Sequence, residues 1–254
     1  MPVRISFSGK GGTGKTTLSA LLIDYLTQNI EGAILAVDAD PNCNLNELLG
    51  MEVEITLGEI RDELKKEPPQ SMARYDYVEM RLYQAVIEAD RFDLIVMGQP
   101  EGPGCYCAAH AFLSQALEKM MKSYEYLVID NEAGMEHMSR LNLVEMEHLV
   151  VVSDASSRGI LTAMRIADII KPLQIQVEHL WLIVNRCPAN LPQEFIDYTK
   201  KTAEEHGFKL LGFLPEDSTV LTYELKRTPV FEWENTLKTE SFKLWEKLLK
   251  ENTS

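Results

Sequence analysis

Near its amino terminus the chain reads Ser8-Gly9-Lys10-Gly11-Gly12-Thr13-Gly14-Lys15-Thr16-Thr17, which satisfies the pattern G-x-x-x-x-G-K-[ST]. A strand-like apolar run, Val3 to Phe7, precedes this stretch, and a helical pattern, Thr17 to Gln28, follows it. Glycines let successive N–H groups and the helix N-terminus point at one anion, because they lack the Cβ that would block close approach. The stretch is therefore predicted to be a phosphate-binding loop, rather than a glycine-rich turn that only opens a helix.

Two side chains of this loop have predicted roles in nucleotide chemistry. Lys15 is expected to contact the outer phosphates, and Thr16 to supply a hydroxyl to Mg²⁺, which prefers oxygen ligands. The loop residues predicted to bind the nucleotide are Gly11, Gly12, Thr13, Gly14, Lys15, Thr16 and Thr17.

The composition is that of a folded, acidic protein. Its 254 residues are 45% hydrophobic and 25% charged, which argues against a disordered or fibrous chain. Because 39 Asp and Glu outnumber 25 Lys and Arg, the net charge is −14, which disfavours nucleic acid as a partner. The chain has no run of about 18 apolar residues and no signal-peptide core, so we expect a cytoplasmic protein without a membrane partner.

Short apolar runs alternate with longer stretches of helical period, which is typical of a parallel sheet with crossover helices. Seven strands are predicted, at Val3 to Phe7, Ala33 to Val37, Phe92 to Met97, Tyr126 to Ile129, His148 to Val152, Leu180 to Val184 and Lys209 to Leu214. We therefore expect an α/β fold: one P-loop NTPase domain over residues 1–254, with a mostly parallel, roughly seven-stranded sheet flanked by helices.

Residues 52–91 are predicted to form a helical insertion. Glu67-Pro68-Pro69-Gln70 interrupts a charged helix, and a second helical pattern runs from Val78 to Ala89. The insertion carries no motif that indicates a function.

The extra lysine of the loop, Lys10, produces a close resemblance to the deviant Walker A ATPases. That family includes the nitrogenase iron protein, the division-site protein MinD, the partition ATPases and the CooC-type accessory ATPases of carbon monoxide dehydrogenase. The resemblance implies ATP hydrolysis, and it implies a homodimer in which Lys10 reaches the nucleotide of the second subunit. The alternative for Lys10 is a solvated side chain in a glycine loop.

The same resemblance extends to two acidic strand ends. Asp38-Ala39-Asp40-Pro41-Asn42 resembles switch I, where Asp38 would hold a water of Mg²⁺ and Asp40 would orient or deprotonate the attacking water. Asp130-Asn131-Glu132-Ala133-Gly134 resembles Walker B and switch II, with Asp130 a further Mg²⁺ carboxylate acting through water. The catalytic residues implied are Lys10, Lys15 and Asp40. For either switch I aspartate the alternative is a cap on a helix from Asn44 to Leu49.

Two later strand ends resemble the family's adenine pocket. Asn185 has both a donor and an acceptor for a base edge. The loop Pro215-Glu216-Asp217 would lie against the nucleoside, although a plain turn and helix cap explains it nearly as well.

A pair of cysteines distinguishes this chain within the family. Gly104-Cys105-Tyr106-Cys107 follows a predicted strand and precedes a helix. Two thiolates supply half of a tetrahedral site, so Cys105 and Cys107 from both chains of a two-fold dimer would make a four-thiolate site. The alternative is two ordinary buried cysteines. His110, Cys43 and Cys187 are not expected to be ligands.

Gly-Cys-Tyr-Cys and Glu132-Ala133-Gly134-Met135-Glu136-His137 most resemble the CooC-type proteins. The resemblance implies a metallochaperone that couples ATP-driven dimerisation to nickel insertion into carbon monoxide dehydrogenase or acetyl-CoA synthase. Its cofactors would be ATP/ADP, Mg²⁺ and nickel or zinc at the dimer-shared cysteines.

Two rival functions stay open from the sequence. Four thiolates also suit an iron–sulfur electron-transfer ATPase like the nitrogenase iron protein. The second rival function is that of a positioning ATPase of MinD or partition type, because Ser241 to Lys250 could form a helix that binds a membrane surface. We expect instead that this terminal helix docks on the sheet.

Overall fold

The apolar runs of the chain form a mostly parallel, eight-stranded sheet with the strand order β3-β4-β2-β5-β1-β6-β7-β8. The computed structural model describes residues 2–64, 72–99, 107–131, 145–170 and 175–251, and within these the side chains of 107–111 are left out. The strands are β1 (Val3–Gly9), β2 (Ile34–Asp38), β3 (Ile87–Glu88), β4 (Asp93–Val96), β5 (Tyr126–Asp130), β6 (Glu145–Asp154), β7 (Gln176–Cys187) and β8 (Lys209–Pro215).

Helices connect the strands and cover both faces of the sheet. They are α1 (Lys15–Asn29), α2 (Leu45–Leu49), α3 (Leu57–Glu63), α4 (Arg74–Ala85), α5 (Cys107–Met121), α6 (Ser157–Ile170), α7 (Gln193–Glu205), α8 (Thr219–Leu225), a 3-10 turn (Val230–Glu232) and α9 (Thr236–Lys250).

Successive residues of each strand face opposite apolar layers. On β2, Leu35 and Val37 belong to the layer that packs against α3 to α7. Ile34 and Ala36 belong to the layer under α1, α2 and α9. Because the strands are buried on both faces, they read as nearly continuous apolar runs rather than alternating ones.

The predicted α/β architecture is confirmed, with two corrections in the insertion. The sheet has an eighth strand, β3, which pairs antiparallel to β4 through Ile87 and Leu94. The second insertion helix is Arg74–Ala85 rather than Val78 to Ala89, because Val86 leaves the helix with an extended backbone at ψ 124°. Glu67 to Gln70 lies outside the described residues. That residues 1–254 form one domain stays a prediction.

The terminal helix α9 docks on the sheet, as expected. Trp245 is fully buried and meets Phe7 of β1 edge to face, with ring centroids 5.7 Å apart. Lys238 forms an ion pair with the buried Asp24 of α1 at 2.7 Å, which fixes the start of the helix. In the described part of the chain, no helix has the length and apolar character needed to cross a membrane.

Candidate nucleotide site

Parallel strands bring the sequence-predicted residues to one edge of the sheet. The order β2-β5-β1 places Asp38 and Asp130 on neighbouring strands, next to the loop that follows Gly9. Asn185 reaches the same edge near the end of β7. Ligands of open α/β sheets bind at this carboxyl edge, where the polar strand ends converge.

The glycines of the loop are required by space and by backbone angles. Gly9 has φ 145°, and a Cβ there would lie 2.2 Å from the carbonyl oxygen of Val152. Gly14 has φ 92°, and its Cβ would lie 2.5 Å from Nδ2 of Asn185. Both positions therefore exclude a side chain, which lets the loop run close to β6 and β7.

Lys15 folds back over the loop that precedes it. It is 7% exposed, and its Nζ lies 3.4 Å from the carbonyl oxygen of Lys10. The Thr13 hydroxyl donates to the same carbonyl at 2.9 Å, and these contacts close the loop into a ring. Lys10, Gly11 and Gly12 are exposed at its rim. A buried ammonium and an exposed rim can receive phosphate oxygens.

Asp130 contacts residues at the start of α1. Its Oδ1 accepts from the Ser19 hydroxyl at 3.2 Å, and the Thr16 hydroxyl also donates to it. Burial raises its pKa to about 6 despite these bonds and the nearby Lys15 charge. Its second oxygen, Oδ2, is buried without a hydrogen-bond partner among the described residues.

Asp38 is the other buried carboxylate of the edge. Burial, and after it the charge of Asp130, raises its pKa to about 7. Its two oxygens accept from the N–H of Asp40 at 3.1 Å and of Leu45 at 3.0 Å. The hydrogen bond to Asp38 satisfies the backbone N–H of Leu45, the first residue of α2. Asp38 therefore also helps to cap this helix, as the alternative interpretation expected. Asp40 instead accepts from Asn42 at 2.8 Å and is half-buried.

The Thr16 hydroxyl and the two buried carboxylates fit a hydrated divalent cation. No three His, Cys, Asp or Glu side chains gather to hold a metal directly within the described ranges. Mg²⁺ usually keeps several waters, so a hydroxyl with carboxylates acting through water matches its coordination. A cation there would offset the burial and the repulsion from Asp130 that raise the pKa of Asp38, and it would give the unpartnered Oδ2 of Asp130 a neighbour.

The predicted base-binding residues divide into two kinds. Nδ2 of Asn185 donates to the carbonyl oxygen of Thr13 at 2.9 Å, while its Oδ1 is buried with no hydrogen-bond partner in the described part of the chain. Asn185 therefore supports the loop and keeps a free acceptor. Asp217 accepts from Thr219 at 3.0 Å and from Leu237 at 3.2 Å, which is the turn-and-cap alternative. Pro215 ends β8, and Glu216 is exposed beside it.

Several predicted residues fall outside what the structure describes. Cys105 and the switch II residues 132–134 belong to the omitted ranges. Cys107 is the first residue of α5, and its side chain is not described. Residues 100–106, which we call the cysteine loop, follow residues 97–99, and these continue from the carboxyl end of β4, beside Asp38 at the end of β2.

Sequence reasoning missed the polar layer beneath the loop. Nδ2 of Asn131 donates to the Ser6 hydroxyl at 2.6 Å and to the Phe7 carbonyl at 2.9 Å. These bonds extend the pairing of β5 with β1 beyond the strand end. A polar residue directly after Asp130 was the available signal, since a buried amide needs partners.

A glycine-rich loop between a parallel strand and a helix, with buried carboxylates at adjacent strand ends, defines a P-loop nucleotide hydrolase. The model of the CobQ/CobB/MinD/ParA nucleotide binding domain matches residues 5–230. The chain belongs to this family.

Individual relatives agree with this assignment. An uncharacterized ATP-binding protein of Methanocaldococcus jannaschii is 40% identical, over 89% of this chain and 90% of its own. The carbon monoxide dehydrogenase accessory protein CooC of Rhodospirillum rubrum is 28% identical, over 86% of this chain and 85% of its own. A ParA family ATPase of Chlorobium tepidum has the same fold, with a TM-score of 0.72 at 18% identity over 97% of this chain and 99% of its own.

These findings confirm two predictions from the sequence. The fold is that of the ParA and MinD type P-loop proteins, and the chain is an ATPase of this family.

Proposed function

We propose that this ATPase is a maturation factor that couples ATP-driven dimerisation to nickel insertion into carbon monoxide dehydrogenase or acetyl-CoA synthase. One observation carries the proposal: a chain 28% identical to CooC has a Cys-x-Cys pair where the loop after β4 runs into α5, with Cys107 as the first residue of that helix. That loop leaves the sheet edge that also bears the nucleotide loop. This shared edge supports a coupling between bound metal and bound nucleotide.

At the nucleotide site each residue has a proposed task. Lys15 neutralises the outer phosphates of ATP, and the N–H groups of Gly11 to Thr17 surround them. Thr16 holds Mg²⁺, which supplies positive charge to the phosphate oxygens, and Asp38 and Asp130 hold its waters. The buried Oδ2 of Asp130 supports this assignment. Asp40 is half-buried in the loop after β2, and it would orient the attacking water.

The base is proposed to lie between two strand ends. Oδ1 of Asn185 is the free acceptor that an adenine amino group needs, because its Nδ2 is already bonded to Thr13. Pro215 and Glu216 would lie along the nucleoside. Asp217 would act by holding that loop in place, since its carboxylate caps Thr219 and Leu237.

Dimerisation would follow from Lys10, which is exposed at the rim of the loop. In the proposed closed dimer Lys10 of each chain reaches the other chain's nucleotide. The two copies of Cys105 and Cys107 then supply four thiolates to nickel or zinc. Four thiolates in a tetrahedral arrangement favour zinc, whereas nickel(II) often prefers a planar arrangement. Because closure of the dimer would change the spacing of the four thiolates, it would also change their affinity for the metal. By reciprocity the bound metal changes nucleotide affinity.

The proposal is tested by metal content and oligomeric mass on the same anaerobic sample. Wild type would be loaded with nickel or zinc, together with ADP or a non-hydrolysable ATP analogue. We expect one metal per dimer, lost in Cys105→Ser and in Cys107→Ser. Cys187→Ser is the matched control, because it removes a buried thiol that faces the Val184 carbonyl. Nickel transfer to an apo client enzyme then identifies the recipient.

Two outcomes would replace the proposal. Broad visible absorption that bleaches reversibly on reduction would indicate an iron–sulfur electron carrier. Dimers that form with ATP but bind no metal, and that pellet with liposomes or DNA, would indicate a positioning ATPase.

A further inference from the structure

Cys43 lies in the loop between β2 and α2, which also carries Asp40; we call residues 39–44 the Asp40 loop. The N–H of Cys43 donates to the carbonyl oxygen of Asp40 at 3.0 Å, which closes a tight turn. Its φ is 49°, in the left-handed region that a residue with a Cβ adopts rarely. The conformation of Cys43 is therefore tied directly to the position of Asp40.

The Cys43 side chain faces the segment that leaves β4. The N–H of Gly98 donates a hydrogen bond to the Cys43 sulfur, which also lies 3.5 Å from the Pro41 carbonyl oxygen. The side chain is half-buried against the apolar layer under α1. Burial, and after it the charge of Asp38, raises the pKa of the thiol, so the sulfur is neutral at pH 7. A neutral thiol can accept from one backbone group and donate to another.

Gly98 is also close to the start of α3. Its φ is 68°, and a Cβ there would lie 2.6 Å from the Cβ and hydroxyl oxygen of Thr56. The preceding residue, Met97, accepts from the N–H of Gly58 at 2.8 Å. Thr56 is itself fixed, because it forms a capping box with Glu59. Residues 97–99, which lead into the cysteine loop, thus contact both the Asp40 loop and the start of α3.

Two hydrogen bonds join residues 97–99 to β2 and to the Asp40 loop, and they differ in kind. The N–H of Met97 donates to the Asp38 carbonyl at 2.8 Å and continues the pairing of β4 with β2. That bond belongs to the sheet and is independent of the turn. The bond between Gly98 and Cys43 depends on the turn, because the sulfur moves with the φ of residue 43.

We propose that Cys43 is a positioning residue that links the Asp40 loop to residues 97–99, so that a rearrangement of the loop on nucleotide exchange shifts the start of the cysteine loop. The inference rests on the proposed function in one respect: it takes the Asp40 loop to respond to the γ-phosphate. It adds the residue through which that response reaches the cysteines.

The test measures amide hydrogen exchange at Gly98 by NMR in the full-length protein, free of nickel and zinc. Samples contain Mg²⁺ with ADP or with a non-hydrolysable ATP analogue. In wild type the Gly98 exchange rate should differ between the two nucleotides by roughly threefold or more, as expected when one weak hydrogen bond is remade. Cys43→Ala should abolish the difference, and Cys43→Ser, which keeps a donor and acceptor, should restore most of it. Cys187→Ala is the matched control and should behave as wild type.

Two results would overturn the inference: equal Gly98 exchange with both nucleotides in wild type, or an undiminished difference in Cys43→Ala. If Cys43→Ala does not fold, Cys43→Gly removes the sulfur and suits a φ of 49°, so it gives the same test. Nickel titration of the same samples separates the two claims. A Gly98 response without any metal binding would uphold the link and refute the metallochaperone function.

Discussion

Asp38 and Asp130 lie directly opposite each other at the ends of β2 and β5, and both are buried. The N–H of Ala39 donates to the Asp130 carbonyl at 2.9 Å, which holds the two strand ends together. Burial is the main cause of the raised pKa of each carboxyl, and the charge of Asp130 adds to the shift at Asp38. Two carboxylates kept this close are costly when both are ionised, unless a cation is present.

This pair predicts a pH dependence of stability in the absence of Mg²⁺ and nucleotide. The pKa of Asp38 is raised from 3.8 to about 7, so between these values the folded state binds more protons than the unfolded state. Stability should therefore fall as pH rises through this window, by up to about 4 kcal/mol from Asp38. Urea unfolding at several pH values measures the loss.

Asp38→Asn should remove the Asp38 part of that dependence, because the amide stays neutral and similar in size. The part from Asp130, whose pKa burial raises to about 6, should remain. Glu118→Gln, at an exposed glutamate that pairs with Lys122, is the control and should leave it unchanged. Added Mg²⁺ should stabilise the wild type more at pH 8 than at pH 6, since it competes with protons for the carboxylates. Equal stabilisation at both pH values would refute a Mg²⁺ role for the pair.

The loop glycines predict a contrast in folding stability. Gly9→Ala should destabilise the protein by at least about 2 kcal/mol, because the new Cβ meets the Val152 carbonyl at a φ of 145°. Gly11→Ala is the matched control, since a Cβ there meets nothing within 4 Å. Thermal unfolding without nucleotide compares the two. A Gly9→Ala variant as stable as Gly11→Ala would show that the loop does not approach β6 as described.

Substitutions of the two loop lysines should separate nucleotide binding from dimerisation. Lys15→Ala should weaken Mg-ATP binding by about 30-fold or more, because a buried charge contact is lost. Lys10→Ala should retain nucleotide binding by the monomer but lose the ATP-dependent dimer. Nucleotide titration and light scattering distinguish these effects. If Lys10→Ala dimerised with ATP as wild type does, the exposed lysine would have no role across the interface.

Asp40→Ala should trap an ATP-bound dimer. The loss of the carboxylate removes the group proposed to orient water, while the buried Asp38 and Asp130 remain in place. Hydrolysis measured in a single turnover should slow by about a hundredfold or more. Asn42→Ala is a useful comparison, because it removes a partner of the Asp40 carboxylate at 3.0 Å without removing the carboxylate itself. Wild-type hydrolysis in Asp40→Ala would contradict the assignment.

The docked terminal helix predicts a large packing effect and no membrane attachment through α9. Trp245→Ala should cost about 3–5 kcal/mol, because a fully buried indole is lost beside Phe7. Lys243→Ala, at an exposed lysine, should be nearly neutral. Liposome pelleting of the wild type that is lost in Lys243→Ala would instead indicate a surface-binding helix.

Much of the fold was predictable because buried parallel strands are apolar on both faces. All seven predicted strands are present, and β6 and β7 extend beyond their predictions at both ends. The added residues include Glu147 and Glu178, whose polar side chains obscured the strand pattern. The short β3 could not be found from sequence, because two residues carry no period and the pairing of Ile87 with Leu94 is tertiary.

The residues of the candidate site could be predicted where they belong to a sequence motif. Contacts that arise only from tertiary packing could not be predicted. Lys15, Asp38 and Asp130 converge as their strand and loop positions indicate. Asp217 is engaged by Thr219 and Leu237, a use of its carboxylate that depends on where α9 docks. Cys43 and Gly98 are 55 positions apart in the sequence, so no local sequence pattern could reveal their contact.

The proposed coupling of nucleotide state to metal affinity is tested most directly by nickel titration of one anaerobic sample with ADP and with a non-hydrolysable ATP analogue. We expect one nickel per dimer, affinities that differ by about tenfold or more between the two nucleotides, and loss of binding in Cys105→Ser. Equal affinity with both nucleotides, or a full metal equivalent retained by Cys105→Ser, would contradict it.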